Sequence, residues 1–332
     1  MKNLRIGMVG AGFISDWHHD AFASLPDVEF AALCHEPFGN EAQMAADRAL
    51  LKKKCAEWGT VPYESFDAIA ADPSLDALVI GTINPCHYRQ IIAALKAGKH
   101  LLVEKPVVTD PKSLEEIRNL SESVGRVVFP GHNFVYRNAV RKAKEIIESG
   151  ALGKLVYSSF ISSHTISENH ATGWRAKKEL AMGGALMDSG HHLVYQMLYL
   201  LGMPVALQAF CAKQILTNMD GEDTASVHVQ FADGSVGCIM QSWASGKDYD
   251  ISGIRIMGDK ASITISDALY LNGEKITDDV QYGDSFVREA RAFVDCINNG
   301  SRPVSSLDDS RDALTFIYAA YDSCKSKSVI CF

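Results

Sequence analysis

The sequence predicts an α/β chain: a doubly wound parallel sheet over residues 1–130, then an α+β part over 131–332 with a large, mostly antiparallel sheet. Three observations carry this reading. Short apolar runs alternate with helical segments through the first part, as repeated βα units require. The first run ends in Gly10-Ala11-Gly12-Phe13-Ile14-Ser15, a glycine turn that opens a helix. Beyond Pro130 the strand runs crowd together, and Asp233-Gly234 supplies a hairpin turn between two of them.

Taken in order, residues 4–9 form the first strand and lead directly into G-x-G-x-x-S. Gly10 and Gly12 let the backbone turn sharply and approach a pyrophosphate, which the N–H groups of the helix beginning at Phe13 and Ile14 would hold. Ser15 stands where a third small residue is usual. This is the Rossmann pattern, and its context strengthens it: a second strand at 28–34 ends where a ribose-binding carboxylate is expected, about 20 residues past the loop. The residues there are Cys34-His35-Glu36, so either His35 takes that place or Glu36 reaches the ribose hydroxyls. CHEPFGNEA carries no Arg or Lys to neutralise a 2′-phosphate, which favours NAD as cofactor and leaves NADP open.

Further strands read at 77–81, 100–103 and 126–129, with helices at 41–58 and 88–97 and another that Asp110 caps ahead of Pro111. In such sheets ligands bind beyond the C-terminal strand ends. Glu104-Lys105-Pro106 falls there, at the exit of a core strand. Lys105 is therefore expected over the cofactor crevice, aimed by a turn that Pro106 stiffens.

The second part reads as a helix at 138–149, a strand at 154–163, a helix at 184–201, then strands at 204–213, 225–231, 235–243, 252–257 and 261–266. Within the expected 184–201 helix, Asp188 and His192 would share one face, and a histidine held by a carboxylate serves as a base near neutral pH. A helix-surface ion pair is the equally weighted alternative. A sheet covered by helices on one face leaves apolar residues on the other, so a homodimer or homotetramer through this sheet is expected.

Composition narrows the chemistry. The net charge is −8, with a pI near 5.8, and there is no basic stripe to meet a phosphate backbone, which argues against nucleic acid. The eight cysteines form no C-x-x-C pair and read as isolated buried thiols. SSHTISENH offers His164, Glu168 and His170 without a recognised ligand spacing, so no metal is expected. The N-terminus enters a strand at once with no signal-peptide pattern, and the longest apolar tract, from Leu193, is interrupted by Gln196, Gly202 and Pro204. No membrane span and a cytoplasmic location are expected.

Four signatures occur in order: VGAGFIS, TINPCHYRQII, AGKHLLVEKPV and GGALMDSGHH. With the closing stretch SFVREARAFVDCINNGSRPVSSLDDSRDAL they resemble, over nearly the whole chain, the Gfo/Idh/MocA family of NAD(P)-dependent oxidoreductases, which includes glucose–fructose oxidoreductase and inositol 2-dehydrogenase. The resemblance implies that Gly10 and Gly12 hold the pyrophosphate, that Thr82, Asn84 and His87 line the nicotinamide side, and that Glu104 and Lys105 sit beside the reacting carbon. It makes Asp188 and His192 the remaining catalytic pair. The sequence departs from the family pattern at His35, in place of the usual acid, and at Asn133-Phe134-Val135-Tyr136, where Asn-Arg-Arg is frequent.

Hydride transfer from a carbinol needs positive charge at the developing alkoxide, for which Lys105 is the candidate, and a group to take the hydroxyl proton, for which His192 oriented by Asp188 is the candidate. Tyr136, His164, Trp174 and Arg175 are candidates for contact with a polyhydroxylated ring, with ordinary packing the alternative for Tyr136 and Trp174. The expectation is a dehydrogenase acting on a secondary hydroxyl of a sugar, glycoside or cyclitol. Two alternatives stand beside it: a glycosidase that uses transient oxidation by bound NAD, and a non-catalytic nucleotide-binding regulator.

Overall fold

A computed structural model describes residues 3–37, 39–166, 171–246, 251–278 and 281–332. Glu168 and His170, weighed above as metal ligands, lie outside the described residues. The chain forms two compact units. One comprises Met1–Asn133 with Gln281–Asp308, the other Phe134–Val280 with Asp309–Phe332.

In the first unit, β1 (Leu4–Val9), α1 (Ile14–Ala23), β2 (Val28–Cys34), α2 (Glu41–Trp58), β3 (Val61–Tyr63), α3 (Phe66–Ala71), β4 (Ala77–Ile80), α4 (His87–Lys96), β5 (His100–Glu104), α5 (Ser113–Val124) and β6 (Val128–Gly131) follow in turn. The strands pair in parallel in the order β3-β2-β1-β4-β5-β6. That is the Rossmann order, with its reversal beside β1. Every residue of β4 is buried, and the apolar run of β5 is covered on both faces. The helix after β5 starts later than expected. Asp110 Oδ1 accepts from Lys112 N at 3.0 Å in a turn two residues long, and the helix begins only at Ser113, so Asp110 is not its N-cap.

The expected division at residue 130 needs one correction, because the chain returns to the first unit. There α9 (Tyr282–Asn299) lies against α1. Its buried face explains why: Phe286 stacks on Trp17 at 6.1 Å, and Phe293 meets Phe22 and Phe129 edge-on at 6.2 and 5.6 Å. Arg291 adds a bidentate pair to Asp27, at 2.7 and 3.1 Å.

The second unit holds α6 (Asn138–Glu148), β7 (Leu155–Ser163), α7 (Lys178–Ala181), α8 (Gly190–Leu201), then β8 (Ala206–Ala212), β9 (Thr224–Gln230), β10 (Val236–Ser242), β11 (Gly253–Gly258), β12 (Ser262–Ile265), β13 (Ala268–Leu271) and β14 (Glu274–Asp278). It ends with α10 (Leu307–Ser326), counted here from Asp309, and β15 (Ile330–Cys331). The sheet runs β14-β13-β12-β11-β7-β10-β9-β8-β15 and is antiparallel except where β7 lies parallel to β10. The β9–β10 hairpin turns at Asp233-Gly234, whose aspartate accepts from Ser235 N and Oγ at 2.9 and 2.6 Å. Period-two alternation then decides the faces. Phe160, Val227, Ile239 and Ile256 point to the side packed by α8, and all four are fully buried. Tyr157, Val236 and Met257, adjacent in register, point to the other side and are exposed.

The cysteines depart from the expected picture of isolated buried thiols. All eight are free, but only Cys34, Cys55 and Cys296 are buried, Cys331 is exposed, and Cys211 shares a hydrogen bond with Cys324. Burial pushes the Cys34 thiol up to about 12.

Candidate functional site

The first cluster gathers at the C-terminal ends of β1, β4 and β5. Gly10 has φ 107°, and a Cβ there would stand 2.5 Å from the Gly81 carbonyl oxygen, so only glycine fits this turn. A Cβ on Gly12 would meet nothing within 4 Å: the space before it is open, as close approach of a pyrophosphate demands. Phe13 and Ile14 stand at the N-terminus of α1, where the N–H groups of Ser15 and Asp16 already donate to the Gly12 and Phe13 carbonyls, at 3.0 and 3.4 Å. Phe13 is exposed and Ile14 half-buried.

At the end of β2, His35 Nδ1 accepts from Ala11 N at 3.4 Å while Nε2 lies 3.5 Å from Asp47 Oδ1, so the ring is tied to the glycine loop. Glu36 Oε1 accepts from Phe66 N at 3.0 Å, serving the first turn of α3. Arg89 of α4 reaches to 3.7 Å from Glu36 Oε2 and lies over the Phe66 ring. No local signal near residue 36 announces this cation; the topology brings it from another βα unit.

After β4, Thr82 Oγ1 donates to Gln90 Oε1 at 2.6 Å and Asn84 is buried. His87 is fully buried, with Nδ1 2.9 Å from the Pro106 carbonyl and Nε2 3.0 Å from the Thr82 carbonyl. Burial holds its pKa below the ordinary value, against the two carbonyls. His87 therefore acts as a clamp between the loop after β4 and the Glu104-Lys105-Pro106 turn.

In that turn Glu104 Oε1 lies 2.8 Å from His18 Nε2 of α1, and Oε2 accepts from Lys105 N at 3.2 Å. Burial pushes the Glu104 carboxyl up, but the His18 contact and Lys105 outweigh it and hold it below the usual range. Lys105 is half-buried. Sequence reasoning missed a neighbour, Glu289 of α9, which is 1% exposed with no hydrogen-bond partner at either carboxyl oxygen. Burial, and then the charge of Glu104, raise it well above the ordinary carboxyl range. Only the chain's return could reveal it.

The second cluster belongs to the second unit. Asp188 and His192 are not one turn apart on a continuous helix, as the sequence suggested. Asp188 N bonds to Gly184 O, whereas Gly190 N reaches back to Ala185 O, and α8 begins only at Gly190. Residues 184–186 are held by Glu222, whose carbonyl accepts from Ala185 N at 2.8 Å and whose Oε1 accepts from Leu186 N at 2.9 Å and Tyr321 Oη at 3.0 Å. Asp188 Oδ2 accepts from Arg175 Nε at 2.9 Å, and the Arg175 guanidinium lies 4.3 Å above the Trp174 ring. His192 Nδ1 is 2.7 Å from Tyr195 Oη, which also accepts from Phe134 N at 3.1 Å, and the imidazole leans on the Phe134 ring at 4.6 Å. Of the other ring-contact candidates, Tyr136 is buried and His164 is exposed. A cavity of about 440 Å³ opens among Thr165, Ile166, Leu216, Asn218, Trp243 and Ser245. Trp243 Nε1 donates to Ser189 Oγ at 2.8 Å, beside Asp188.

Among the described residues there is no cluster of three metal-ligating side chains, and no helix is long and apolar enough to cross a membrane.

Comparison with known proteins agrees with this architecture. Residues 4–132 match the model of the oxidoreductase family with an NAD-binding Rossmann fold, and residues 140–264 match the GFO/IDH/MocA C-terminal domain. The chain is 23% identical to D-glucoside 3-dehydrogenase of Escherichia coli K12, over 97% of this chain and 96% of that protein. It is 25% identical to myo-inositol 2-dehydrogenase of Thermotoga maritima, over 98% and 97%. The solved structure of a levoglucosan dehydrogenase in complex with NADH and levoglucosan shares the fold with a TM-score of 0.86 at 22% identity, covering 99% of both chains. With the cofactor-domain and C-terminal models matching in order, each on its own sheet, the chain belongs to the GFO/IDH/MocA family of NAD-binding oxidoreductases.

Proposed function

We propose that the protein is an NAD-dependent dehydrogenase acting on a secondary hydroxyl of a sugar, glycoside or cyclitol. The observation that carries this is Lys105 at the C-terminal end of β5, its peptide N–H held by Glu104 and Glu104 held by His18. The names of the relatives, two of which act on a glucoside and an inositol, support the substrate class. When bound, NAD supplies the hydride acceptor. The open space at Gly12 and the N-terminus of α1 fit its pyrophosphate, with Gly10, Gly12, Phe13 and Ile14 forming the cradle. Thr82, Asn84 and, through its clamp, His87 shape the nicotinamide side. His35 and Glu36 border the ribose, and Arg89 beside Glu36 keeps NADP within reach as a weaker alternative.

Lys105 stabilises the alkoxide that forms as the hydroxyl loses its proton. In the second unit, His192 takes that proton on Nε2 when Nδ1–H is given to Tyr195. Asp188, whose Oδ2 accepts from Arg175, borders the substrate beside it. Trp174 and His164 flank the ring, and Tyr136 supports from the core. The exposed row Tyr157, Val236 and Met257 is the surface for a second copy of the chain, giving a homodimer or homotetramer. The eight free thiols suit a reducing cytoplasm.

The test is a panel of monosaccharides, cyclitols and glycosides with NAD and with NADP, followed at the nicotinamide absorbance. Net NADH formation with one class supports the proposal. Glycoside cleavage without net NADH, or tight NAD binding with no turnover on any class, overturns it.

A further inference from the structure

Lys54 of α2 is 8% exposed, yet no ligand role of the usual kind falls to it. Its Nζ donates to Ser15 Oγ and to Asp16 Oδ1, both at 2.8 Å, and lies 4.9 Å from the Trp58 ring centre. Ser15 passes the contact on: its Oγ donates to the Gly12 carbonyl at 2.7 Å, and its N–H to the same oxygen at 3.0 Å. The carbonyl of Gly12 and the N–H of Phe13 belong to one planar trans peptide and point in opposite directions. Holding the Gly12 oxygen toward Ser15 therefore turns the Phe13 N–H toward the open space before Gly12.

Charge adds a second reason. Asp16 sits in the first turn of α1 and is largely exposed, so its carboxylate stands near the helix end that would receive a pyrophosphate. A negative charge there repels an anionic ligand; the buried ammonium cancels it. The serine in the third small position and the lysine one βα unit later thus make one device.

We propose that Lys54 is a positioning residue for the dinucleotide: through Ser15 it aims the Phe13 N–H, and it neutralises Asp16 beneath the pyrophosphate. This rests on the reading that the Gly10–Ser15 loop carries the pyrophosphate.

The experiment measures binding of NAD and of adenosine, which lacks the pyrophosphate, by calorimetry or competition on the full chain. Lys54→Met keeps the apolar stem over Trp58 and removes the charge. It is expected to weaken NAD by about tenfold, the scale of a charge at a helix terminus, with adenosine changed by less than about twofold. Asp16→Asn alone is expected to tighten NAD, and in the Lys54→Met background to restore at least half of the lost affinity on a logarithmic scale. Lys54→Arg is expected to stay within about threefold of wild type, since it returns the charge. NAD affinity unchanged in Lys54→Met overturns the proposal. So does an equal loss for adenosine, which would mark damage to the fold, or failure of Asp16→Asn to restore binding. Gly12→Val serves as the control for the underlying reading: if it leaves NAD affinity intact the loop is not the pyrophosphate site, whereas a large loss there beside a silent Lys54→Met rejects the Lys54 device alone.

Discussion

The two sheets solve the same problem differently. In the first unit β4 is buried at every position, because helices cover both faces of a parallel sheet. In the second, β9 alternates along its length, Ala225, Val227 and Val229 inward and His228 and Gln230 outward, because the described helices pack on one face only. A sheet closed on both sides leaves only its strand ends for chemistry. A sheet closed on one side keeps a second surface, and on this one an apolar row, Tyr157, Val236 and Met257, is exposed in adjacent strands. The first design concentrates function at an edge; the second provides an area.

The sharpest way to break this comparison uses one strand. Ile239→Asp places a carboxylate on the buried face of β10 and is expected to cost more than about 4 kcal/mol, enough to prevent folding. Val236→Asp, on the open face of the same strand, is expected to leave the far-UV circular dichroism and the melting of the protomer unchanged while lowering the mass seen by light scattering. Equal damage from both would mean that the faces are not distinct.

Next in size is the edge of the first unit. Lys105→Ala is expected to lower kcat at least about a hundredfold on an established substrate, the scale of losing one preorganised electrostatic donor. NAD binding survives, because the glycine loop is intact. Lys105→Arg is also poor, since a planar fork does not reproduce a compact ammonium. Near-wild-type turnover in Lys105→Ala would remove the chemical role of the strand end.

How much of this was legible depends on the range of the contact. β1, β2 and α2 are read to the residue, because the two strands are local apolar runs and α2 is bounded by its caps, Asn40 and the left-handed Gly59. The Gly10 turn is equally local. By contrast β3 and β14 are short strands with no buried residue and β13 is only four residues long, so no apolar run of their own marks them and pairing with neighbouring strands defines them. The sequence pattern places the start of α8 six residues too early, because Glu222, far along the chain, holds 184–186 in turns that no local propensity encodes. Arg89 beside Glu36 and Glu289 beside Glu104 were invisible for the same reason. The site residues are legible as chemical types, whereas their partners, Tyr195 for His192 and Arg175 for Asp188, are products of the fold.

Glu289 yields an intermediate effect. Its carboxyl is raised in the fold, so the unfolded chain releases the proton above about pH 4.5 while the native chain keeps it. The stability it allows is fully present below that pH and is lost as the pH rises. Glu289→Met removes a buried carboxyl without partners and is expected to stabilise the protein by about 1–2 kcal/mol at pH 8, with a smaller gain at pH 4. A melting temperature lowered at pH 8 would show that the carboxyl is satisfied in solution.

The smallest effect is a pH dependence built into the closed sheet. His100 opens β5, and its Nδ1 accepts from Val127 N at 3.0 Å, which requires that nitrogen to be unprotonated. Burial, then the nearby Arg126 charge, lower it from 6.5 to about 4. Between those values the unfolded chain binds a proton that the native chain refuses, so stability is fully present above pH 6.5 and is lost as the pH falls toward 4. Because the ring is partly exposed, solvent screening reduces the effect. His100→Asn offers Val127 N an acceptor that does not titrate, and it should flatten the fall in melting temperature over this window by about 1–2 °C, the scale of 1 kcal/mol at about 2.1 cal/mol/K per residue. A slope unchanged from wild type in His100→Asn would show that the Val127 N–H does not hold the ring unprotonated.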